Sequence, residues 1–446
     1  MGAFLSVVNA VAAVVICLSL AYYFVAMGAG LHEVRRTGAK LAAQGTTRYE
    51  DPYLGDPENY HVYYLVPCLN EAAVVGATVT ALRAGRRATT VVIDDASDDG
   101  TGAIAERAGD SGLVVVRRRL PDARKGKGPA LNAGFALVRD LVAARGQDPA
   151  RVIVCVMDAD GRLSDGALAH VLPLFDDARV GGAQLAVRIR NREKNFLTRF
   201  QDFQFWSMSA VTQFGRGKTG TVSLGGNGQF TRLSALLELG DAPWSRSLTE
   251  DLDLSISLIS NGWTLVTTPH ASVDQQGVES LRRLIVQRRR WYQGHMTASR
   301  RLLAIWRDPD IPNARALEMT AYLGVPWIFD LPWSLLWHWT LVMFTTKIQS
   351  VFSFVDSWLS LAIGIGIWYT LTFAPALLAT LVYLRRDARM GSGWAIAMGH
   401  SFLVMNYLSF ICAWGALFRI VRGQTGWDKT KRLEEAPAPA LAGQPR

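Results

Sequence analysis

The chain has 446 residues, of which 50% are hydrophobic, and a formal net charge of +9. This length allows two or three domains, and the apolar content argues that part of the chain lies in lipid. The positive charge does not indicate nucleic-acid binding, because no nucleic-acid motif accompanies it and the basic residues cluster beside apolar segments. The four cysteines lack paired spacing, which is typical of buried thiols in a reducing compartment.

The N-terminal segment, residues 3–31, carries no charged residue and is long enough as a helix to cross a bilayer. A secretory signal is disfavoured, because no positive residue precedes the apolar run and no small-residue cleavage site closes it. Arg35, Arg36 and Lys40 follow the segment. By the positive-inside rule they place the N-terminus outside and the next domain in the cytoplasm.

Short β-branched runs alternate with helical stretches from residue 61 to residue 160. The runs HVYYLVP, TTVVIDD, GLVVVRR and RVIVCVMD are each bounded by turn residues, which predicts βαβ units and a mostly parallel sheet. Ligands of such sheets bind beyond the carboxyl ends of the strands. Two of these ends are acidic, with Asp94 and Asp95 after one strand and Asp158 and Asp160 after another.

These acidic pairs allow more than one interpretation. Asp158 and Asp160 suit a hard divalent cation bound to a diphosphate, although an isolated Asp-x-Asp triplet is more typical of a solvated turn. An aspartate such as Asp94 can cap the following helix or accept a hydrogen bond from a nucleobase N–H. The basic run at residues 117–127 can surround a phosphate or form a solvated surface.

A further strand is predicted at residues 181–190 and an aromatic-rich helix at residues 193–212. The glycine-rich stretch LGGNGQFTR, residues 224–232, allows close approach of the backbone to a ligand, and an ordinary loop is the alternative. In the next helix Thr249 is a plausible N-cap, and Glu250 and Asp251 suit the first turn. A carboxylate here can also act as the general base for an attacking hydroxyl.

Residues 281–294, LRRLIVQRRRWYQG, are predicted to form an amphipathic helix at a membrane interface. Gln287, Arg290 and Trp291 stand at i, i+3 and i+4 and therefore share one helical face. The arginine and glutamine can hold a departing diphosphate, and the indole can stack against the apolar face of a sugar ring.

Three apolar segments follow, at residues 319–346, 357–384 and 390–418. The first contains Pro326 and Pro332 and is predicted to be broken or interfacial, whereas the other two are predicted membrane spans. By the positive-inside rule, the arginines between the last two segments belong in the cytoplasm, and so do the basic residues of the tail. A single membrane span between these two groups cannot place both on the same side. Either the last segment is re-entrant or one of the three does not cross. The Pro- and Ala-rich end is expected to be disordered.

The order of these motifs closely resembles the processive branch of glycosyltransferase family 2, the cellulose, chitin, hyaluronan and poly-N-acetylglucosamine synthases. The resemblance rests on the two acidic pairs, Thr-Glu-Asp and Gln-x-x-Arg-Trp, framed by apolar segments. It covers about residues 59–292, and Trp427-Asp428-Lys429-Thr430 is similar to a tail motif of bacterial members. It implies a GT-A-like α/β nucleotide-sugar-binding domain joined to amphipathic interface helices and transmembrane helices.

The resemblance also implies roles for individual residues. It implies Asp251 as the catalytic base, with Glu250 beside it, and Asp158 and Asp160 as ligands of a divalent cation, Mg²⁺ or Mn²⁺. The implied donor-binding residues are Pro67, Asn70, Glu71, Asp94, Asp95, Lys127, Asp158, Asp160, Gln287 and Arg290. The implied acceptor-binding residues are Gly226, Asn227, Gly228, Gln229 and Trp291.

The implied reaction is inverting transfer of a sugar from a UDP-sugar to an acceptor hydroxyl. The preferred product is a β-linked polysaccharide, elongated at the cytoplasmic face and passed through the membrane, because tryptophans crowd residues 327–339. Transfer of one sugar to a membrane lipid is the alternative, since ceramide glucosyltransferases carry a related Arg-Trp motif. A non-catalytic membrane scaffold or transporter is the third. LGGNGQFTR departs from the cellulose and hyaluronan enzymes, so the sugar stays open.

The expected protein is an integral protein of the cytoplasmic membrane with a cytoplasmic catalytic domain. Because it has few spans, a homo-oligomer or a small membrane partner is plausible. The predicted organisation is a transmembrane helix at 1–31, a juxtamembrane segment at 32–56, the glycosyltransferase domain at 57–278, interface helices at 279–317, a membrane region at 318–420 and a basic tail at 421–446.

Overall fold

The computed structural model describes residues 2–43, 60–82, 88–346, 357–387, 390–424 and 426. Four expectations therefore concern residues outside the described ranges. They are residues 44–56 of the expected juxtamembrane segment, Arg389 of the positive-inside count, the tail motif that begins at Trp427, and the expected disorder of the Pro- and Ala-rich end at residues 434–446.

An eight-stranded sheet forms the centre of the domain. Its strands are β1 (His61–Cys68), β2 (Ala88–Asp94), β3 (Leu113–Arg117), β4 (Val152–Val156), β5 (Arg162–Leu163), β6 (Val180–Ile189), β7 (Gln229–Arg232) and β8 (Thr264–Gln275). Across the sheet the order is β3-β2-β1-β4-β7-β6-β8-β5. Strands β1 to β4 are parallel, as are β6 and β8, whereas β7 is antiparallel to its neighbours and β5 to β8. The α/β prediction is confirmed, with a mixed sheet.

The helices cover both faces of this sheet and extend beyond it. They are α1 (Gly2–Ala43), α2 (Val75–Leu82), α3 (Thr101–Ala108), α4 (Lys127–Ala144), α5 (Ala167–Val171), α6 (Phe196–Phe203), α7 (Ala210–Arg216), α8 (Leu233–Leu237), α9 (Glu250–Ser260), α10 (Leu281–Ala298), α11 (Leu302–Arg307), α12 (Asn313–Val325), α13 (Leu331–Thr346), α14 (Trp358–Arg386) and α15 (Ser392–Val421). Tyr63 and Leu65 share a core with Phe135 of α4, while Tyr64 packs with Val79 of α2 on the other face. Both faces are therefore buried, as parallel strands require.

Strand β7 lies within the stretch that the sequence analysis treated as a glycine-rich loop. Phe230 pairs with Cys155 of β4 and Ala183 of β6, and all four residues of β7 are buried. A four-residue strand next to glycines is too short to show an alternating hydrophobic pattern in the sequence. Only its pairing with β4 and β6 identifies it as a strand.

The predicted helix at residues 193–212 begins later than expected. Asn195 and Thr198 form a capping box at the start of α6, because the side chain of each accepts a hydrogen bond from the other's backbone N–H. A π-helical turn, Gln204–Ser209, then joins α6 to α7. Helix α7 packs closely on α1, where a β-carbon at Gly30 would overlap the carbonyl of Val211.

Among the described residues, one helical stretch, Val404–Val421 within α15, combines the length and hydropathy of a membrane span. The break expected near Pro326 is present: a π-helical turn, Pro326–Asp330, separates α12 from α13. A proline removes one backbone donor and disfavours regular helix at this point. Cys17 of α1 is exposed, whereas the other three cysteines are buried.

Helix α10 confirms the predicted helix but not a simple basic outer side. Arg288 turns into the fold, where its Nη2 donates to Gln204 Oε1 over 3.2 Å and its guanidinium lies 5.0 Å from the ring of Phe205. Leu281 is instead 53% exposed. The sequence pattern assigned this side of the helix to apolar residues. Arg288 is stabilised there by the oxygen of Gln204 and the ring of Phe205.

Candidate active site

A cleft of about 460 Å³ lies beyond the carboxyl ends of β1 and β4. Most of the predicted site residues line it: Pro67, Glu71, Asp95, Lys127, Asp158, Gly226, Asn227, Glu250, Asp251, Gln287, Arg290 and Trp291. Asn70, Asp94, Asp160, Gly228 and Gln229 are not part of its lining. The strand ends and the starts of α4 and α9 therefore bring charged groups from distant parts of the sequence together.

The two aspartates after β2 have different surroundings. Asp94 Oδ1 accepts the backbone N–H of Ser97 over 2.9 Å, which makes Asp94 part of the following turn. Asp95 lines the cleft, forms an ion pair with Arg118 and accepts the N–H of Arg124 over 3.0 Å. Burial raises the pKa of Asp95, although Arg118 opposes that shift. Asp94, the residue expected to read the base, thus belongs to the turn, whereas Asp95 faces the cleft.

Asn70 supports the same loop from the end of β1. Its φ of 53° is in the left-handed region, which asparagine tolerates better than most residues. Its Oδ1 accepts the N–H of Asp98 and its own N–H donates to Ser97 Oγ, both over 3.0 Å. Asn70 therefore fixes the loop near the cleft and does not itself line it.

Lys127, the first residue of α4, forms the centre of the charged cluster. Its Nζ donates to Asp158 Oδ1 and to the carbonyl of Gly226, each over 2.6 Å. Burial by itself would lower the pKa of Lys127, but Asp158 and then Glu250 outweigh burial and raise it. The ammonium therefore stays charged and provides a fixed positive charge inside the cleft.

Glu250 and Asp251 begin α9 and face this ammonium. Burial raises the pKa of Glu250 to about 7, with a further contribution from Asp251. Burial also raises the pKa of Asp251, against the opposing effect of Lys127. Asp251 Oδ1 accepts the N–H of Leu252 over 2.8 Å, so this carboxylate is held at the helix start. Thr249 does not cap the helix with its side chain, contrary to expectation.

The glycine-rich loop approaches the cluster closely because it lacks side chains. A β-carbon at Gly226 would lie 2.7 Å from Lys127 Nζ and 3.4 Å from Asp251 Oδ2. Asn227 Oδ1 accepts the N–H of Asp158 over 3.1 Å, which joins the loop to the end of β4. Gly228, with a φ of 69°, and buried Gln229 continue into β7 and away from the cleft.

Asp158 and Asp160 differ in their access to a cation. Asp158 lines the cleft, whereas Asp160 is fully buried and its Oδ2 accepts the N–H of Gln276 over 2.8 Å. The described residues contain no cluster of three or more His, Cys, Asp or Glu side chains suited to a metal. Mg²⁺ is often held by one or two carboxylates together with substrate phosphates. Asp158 fits that kind of site, and Asp160 lies behind it.

Residues of the Gln-x-x-Arg-Trp motif close another side of the cleft. The ring of Trp291 meets that of Phe205 edge to face, with centroids 6.1 Å apart, and the guanidinium of Arg288 lies 4.8 Å from the Trp291 ring. The tryptophans at residues 327–339, which were expected to stack a growing glycan, are not part of the cleft lining. Trp327 Nε1 donates to Ser299 Oγ over 3.0 Å and Trp337 Nε1 to Tyr407 OH over 2.8 Å.

Several cleft residues were missed by the sequence analysis. Gln275 ends β8, so the rule about strand carboxyl ends would have found it had that strand been predicted. His295 lies one helical turn beyond Trp291, and burial lowers the pKa of its imidazole to about 4. Apolar residues of α7 and β6 line a further part, including Ala210, Phe214 and Val187. The cleft thus combines a charged region with an apolar wall.

Comparisons with known proteins identify the family. Residues 57–294 match the profile described as glycosyltransferase like family 2. The beta-monoglucosyldiacylglycerol synthase of Trichormus variabilis is 31% identical over 243 residues, which cover 52% of this chain and 48% of that protein. The synthase of the same name from Nostoc sp. is 34% identical over 209 residues, covering 46% and 41%. The chain therefore spans about half the length of these curated relatives.

A solved structure shares the overall fold. It is the mannosyltransferase PcManGT from Pyrobaculum calidifontis in complex with GDP-Man and Mn²⁺, with a TM-score of 0.51 and 18% identity, covering 91% of this chain and 99% of that one. The relatives named above are glycolipid synthases and not polysaccharide synthases, so the family prediction is confirmed while the processive subtype is unsupported. Because the family match covers more than half of the sequence, the chain belongs to glycosyltransferase family 2.

Proposed function

We propose that the protein transfers one glucose from a nucleoside-diphosphate sugar, UDP-glucose in the first instance, to the free hydroxyl of a membrane diacylglycerol. The observation that carries the proposal is the meeting of Asp251, Lys127 and Arg290 in one cleft that also has an apolar wall. The names of the relatives favour this reaction over elongation of a polysaccharide.

The charged region provides what an inverting displacement needs. Asp251 would take the proton of the attacking hydroxyl, and its raised pKa makes it a stronger base than an exposed aspartate. Lys127 and Arg290 would stabilise the negative charge that develops on the leaving diphosphate. A divalent cation bound at Asp158 would add charge neutralisation at the same diphosphate. In-line attack converts an α-linked donor into a β-linked product.

The apolar wall provides a surface for the acceptor. Phe205 and Phe214 line the cleft from the π-helical turn and α7, while another face of α7 packs on α1. A glycan needs hydrogen-bonding groups along its length, whereas acyl chains need apolar surface. The proximity of α1 to this wall supports an acceptor that reaches the cleft from a bilayer.

Membrane insertion with a cytoplasmic catalytic domain is part of the same proposal. The uncharged segment at residues 3–31, the basic cluster after it and the apolar stretch Val404–Val421 support this arrangement.

The test uses the full-length protein in neutral detergent with Mg²⁺ or Mn²⁺ and dioleoylglycerol. UDP-glucose, UDP-N-acetylglucosamine and GDP-mannose are compared as donors, and lipid products are separated and identified by mass and by the NMR coupling of the anomeric proton. We expect one β-linked hexose on diacylglycerol, with UDP-glucose preferred. A product with a long sugar chain would reject the proposal in favour of polysaccharide synthesis, and an α-linked product would reject inversion.

A further inference from the structure

A second cavity, of about 380 Å³, lies outside the catalytic cleft, between α10 and the end of α15. Three arginines line it: Arg289 from α10 and Arg419 and Arg422 from the end of α15. Within the described part of the chain, none of the three forms an ion pair with a carboxylate. Three positive charges in one place attract an anion, because no carboxylate among the described residues neutralises them.

The arginines are held in place by neutral groups. Arg419 Nε donates to Gln293 Oε1 over 2.7 Å, and its Nη2 donates to the carbonyl of Gly426 over 2.8 Å. Arg422 lies over the ring of Phe418, 4.4 Å from its centroid. Gly415 lets the stem of Arg289 lie against α15, because a β-carbon there would be 2.9 Å from Arg289 Cδ. The charges are thus positioned without being neutralised.

The surroundings of the cavity match the surface of a bilayer. Arg419 and Arg422 stand where the apolar stretch Val404–Val421 ends. Trp414 and Phe418 line the same cavity and are 41% and 59% exposed. Aromatic residues and arginines at the end of an apolar helix are typical of the headgroup level of a membrane.

We propose that this cavity binds the headgroup of an anionic phospholipid. Guanidinium groups form paired hydrogen bonds with phosphate oxygens, and Trp414 and Phe418 provide apolar surface for the upper acyl chains. The C-terminal end of a helix carries about half a negative charge, which disfavours an anion, but three full positive charges outweigh it. A zwitterionic headgroup would bring its own cation toward the arginines, so net negative lipids are favoured. The proposal is independent of the sugar-transfer reaction.

The test measures lipid retention by native mass spectrometry. Full-length protein in neutral detergent is mixed with equal amounts of phosphatidylglycerol and phosphatidylcholine. We expect the wild type to retain phosphatidylglycerol selectively, and Arg289→Gln/Arg422→Gln to lose roughly tenfold or more of that retention. Arg107→Gln/Arg246→Gln is the matched control. Both arginines are exposed on the sheet domain, so this double substitution removes the same total charge at a distance from the cavity.

Two further variants separate binding from folding. Arg289→Lys/Arg422→Lys keeps the charge and should retain most of the selectivity. Arg422→Gln alone changes an exposed side chain whose one described contact is a ring, so it should fold normally and still lose several-fold retention. Glycerol 3-phosphate is added as a soluble competitor, and displacement of the lipid at equal concentration would show a phosphate site that is not selective for lipid.

Equal retention by the wild type and the Arg289→Gln/Arg422→Gln double variant would overturn the proposal. It would mean that retention of phosphatidylglycerol does not depend on these arginines. Equal retention of phosphatidylcholine and phosphatidylglycerol by the wild type would overturn it as well.

Discussion

At the scale of single residues, Asp251 stands between two opposing influences. Burial disfavours its charged form, while Lys127 and Arg290 stabilise that form. A general base needs this balance, since it must be ionised before reaction and still basic enough to accept a proton. Asp253 is two residues further along the same helix and therefore lies on another side of it, where it contacts Arg301 and does not line the cleft.

This contrast defines a matched pair of substitutions. Asp251→Asn is expected to lower turnover by ~10²–10⁴-fold, because it removes proton transfer, while donor binding changes little. Asp253→Asn should leave turnover near the wild-type value. The measurements are release of nucleoside diphosphate and calorimetric binding of UDP to both variants. Unchanged turnover in Asp251→Asn would remove this residue from the mechanism.

Glu250 gives a prediction about stability and pH. Its pKa is raised from the ordinary value of 4.5 to about 7, mainly by burial, so the folded protein binds this proton more tightly than the unfolded chain does. The contribution of Glu250 to the free energy of unfolding therefore falls as pH rises from about 4.5 to about 7. In Glu250→Gln that decline is absent.

Thermal unfolding at pH 5 and pH 8 tests this sign. Relative to its midpoint at pH 5, the unfolding midpoint at pH 8 should be higher in Glu250→Gln than in the wild type. Glu106→Gln, which changes an exposed carboxylate, is the control and should leave the difference unchanged. An equal midpoint difference in the Glu250→Gln variant and the wild type would contradict the assignment of this proton to Glu250.

At the scale of elements, the position of α10 depends on a glycine. A β-carbon at Gly294 would overlap the side chain of Thr249, the residue that precedes Glu250. The close approach of α10 to the start of α9 therefore sets the distance between the Gln-x-x-Arg-Trp residues and the carboxylates.

Gly294→Ala is expected to lower turnover by roughly tenfold to a hundredfold, because a displacement of about 1 Å misaligns reacting groups. Thr249→Ala removes the Oγ1 and Cγ2 atoms from the overlap, so the double variant should recover part of the lost turnover. The readout is turnover of the two single variants and the double variant at saturating donor. Additive losses in the double variant would exclude the contact as the cause.

At the scale of the whole molecule, a buried charge network joins the sheet domain to the C-terminal helices. Arg188 of β6 donates to Asp387, beyond the end of α14, over 2.7 Å and to Asp202 of α6 over 3.3 Å. Tyr383 OH donates to the same Asp202 carboxylate over 2.5 Å. Because these side chains are largely buried, loss of one charge leaves the others poorly compensated.

Asp387→Asn should therefore reduce the free energy of unfolding by roughly 1.5–3 kcal/mol, a range typical of hydrogen bonds to charged groups. Asp241→Asn is the comparison, because its pair with Arg139 is exposed and should contribute at most about 1 kcal/mol. Chemical denaturation in the same detergent measures both. Equal losses would show that burial of the network does not stabilise the joint between the two regions.

The sequence by itself predicted the α/β sheet and the family, and most of the site residues that it predicted line the cleft. Asp158 could be found because it follows a buried strand, and Glu250 because it begins a helix, whereas Lys127 was singled out only by the resemblance to the family. The motifs did not distinguish polysaccharide synthesis from transfer to a lipid, since both reactions need the same donor chemistry. The apolar wall of the cleft, which we propose as the acceptor surface, is built from residues such as Phe214 that carry no motif.

Tertiary structure alone decided the orientation of neighbouring side chains. Asp94 turns to Ser97 while Asp95 enters the cleft, and Asp160 turns inward to the N–H of Gln276 although Asp158 does not. Identical side chains one or two positions apart differ only in which backbone donors and cations surround them after folding. Apart from Ser97, which is close to Asp94 in the sequence, those partners come from distant segments, so the local sequence does not predict which aspartate enters the cleft.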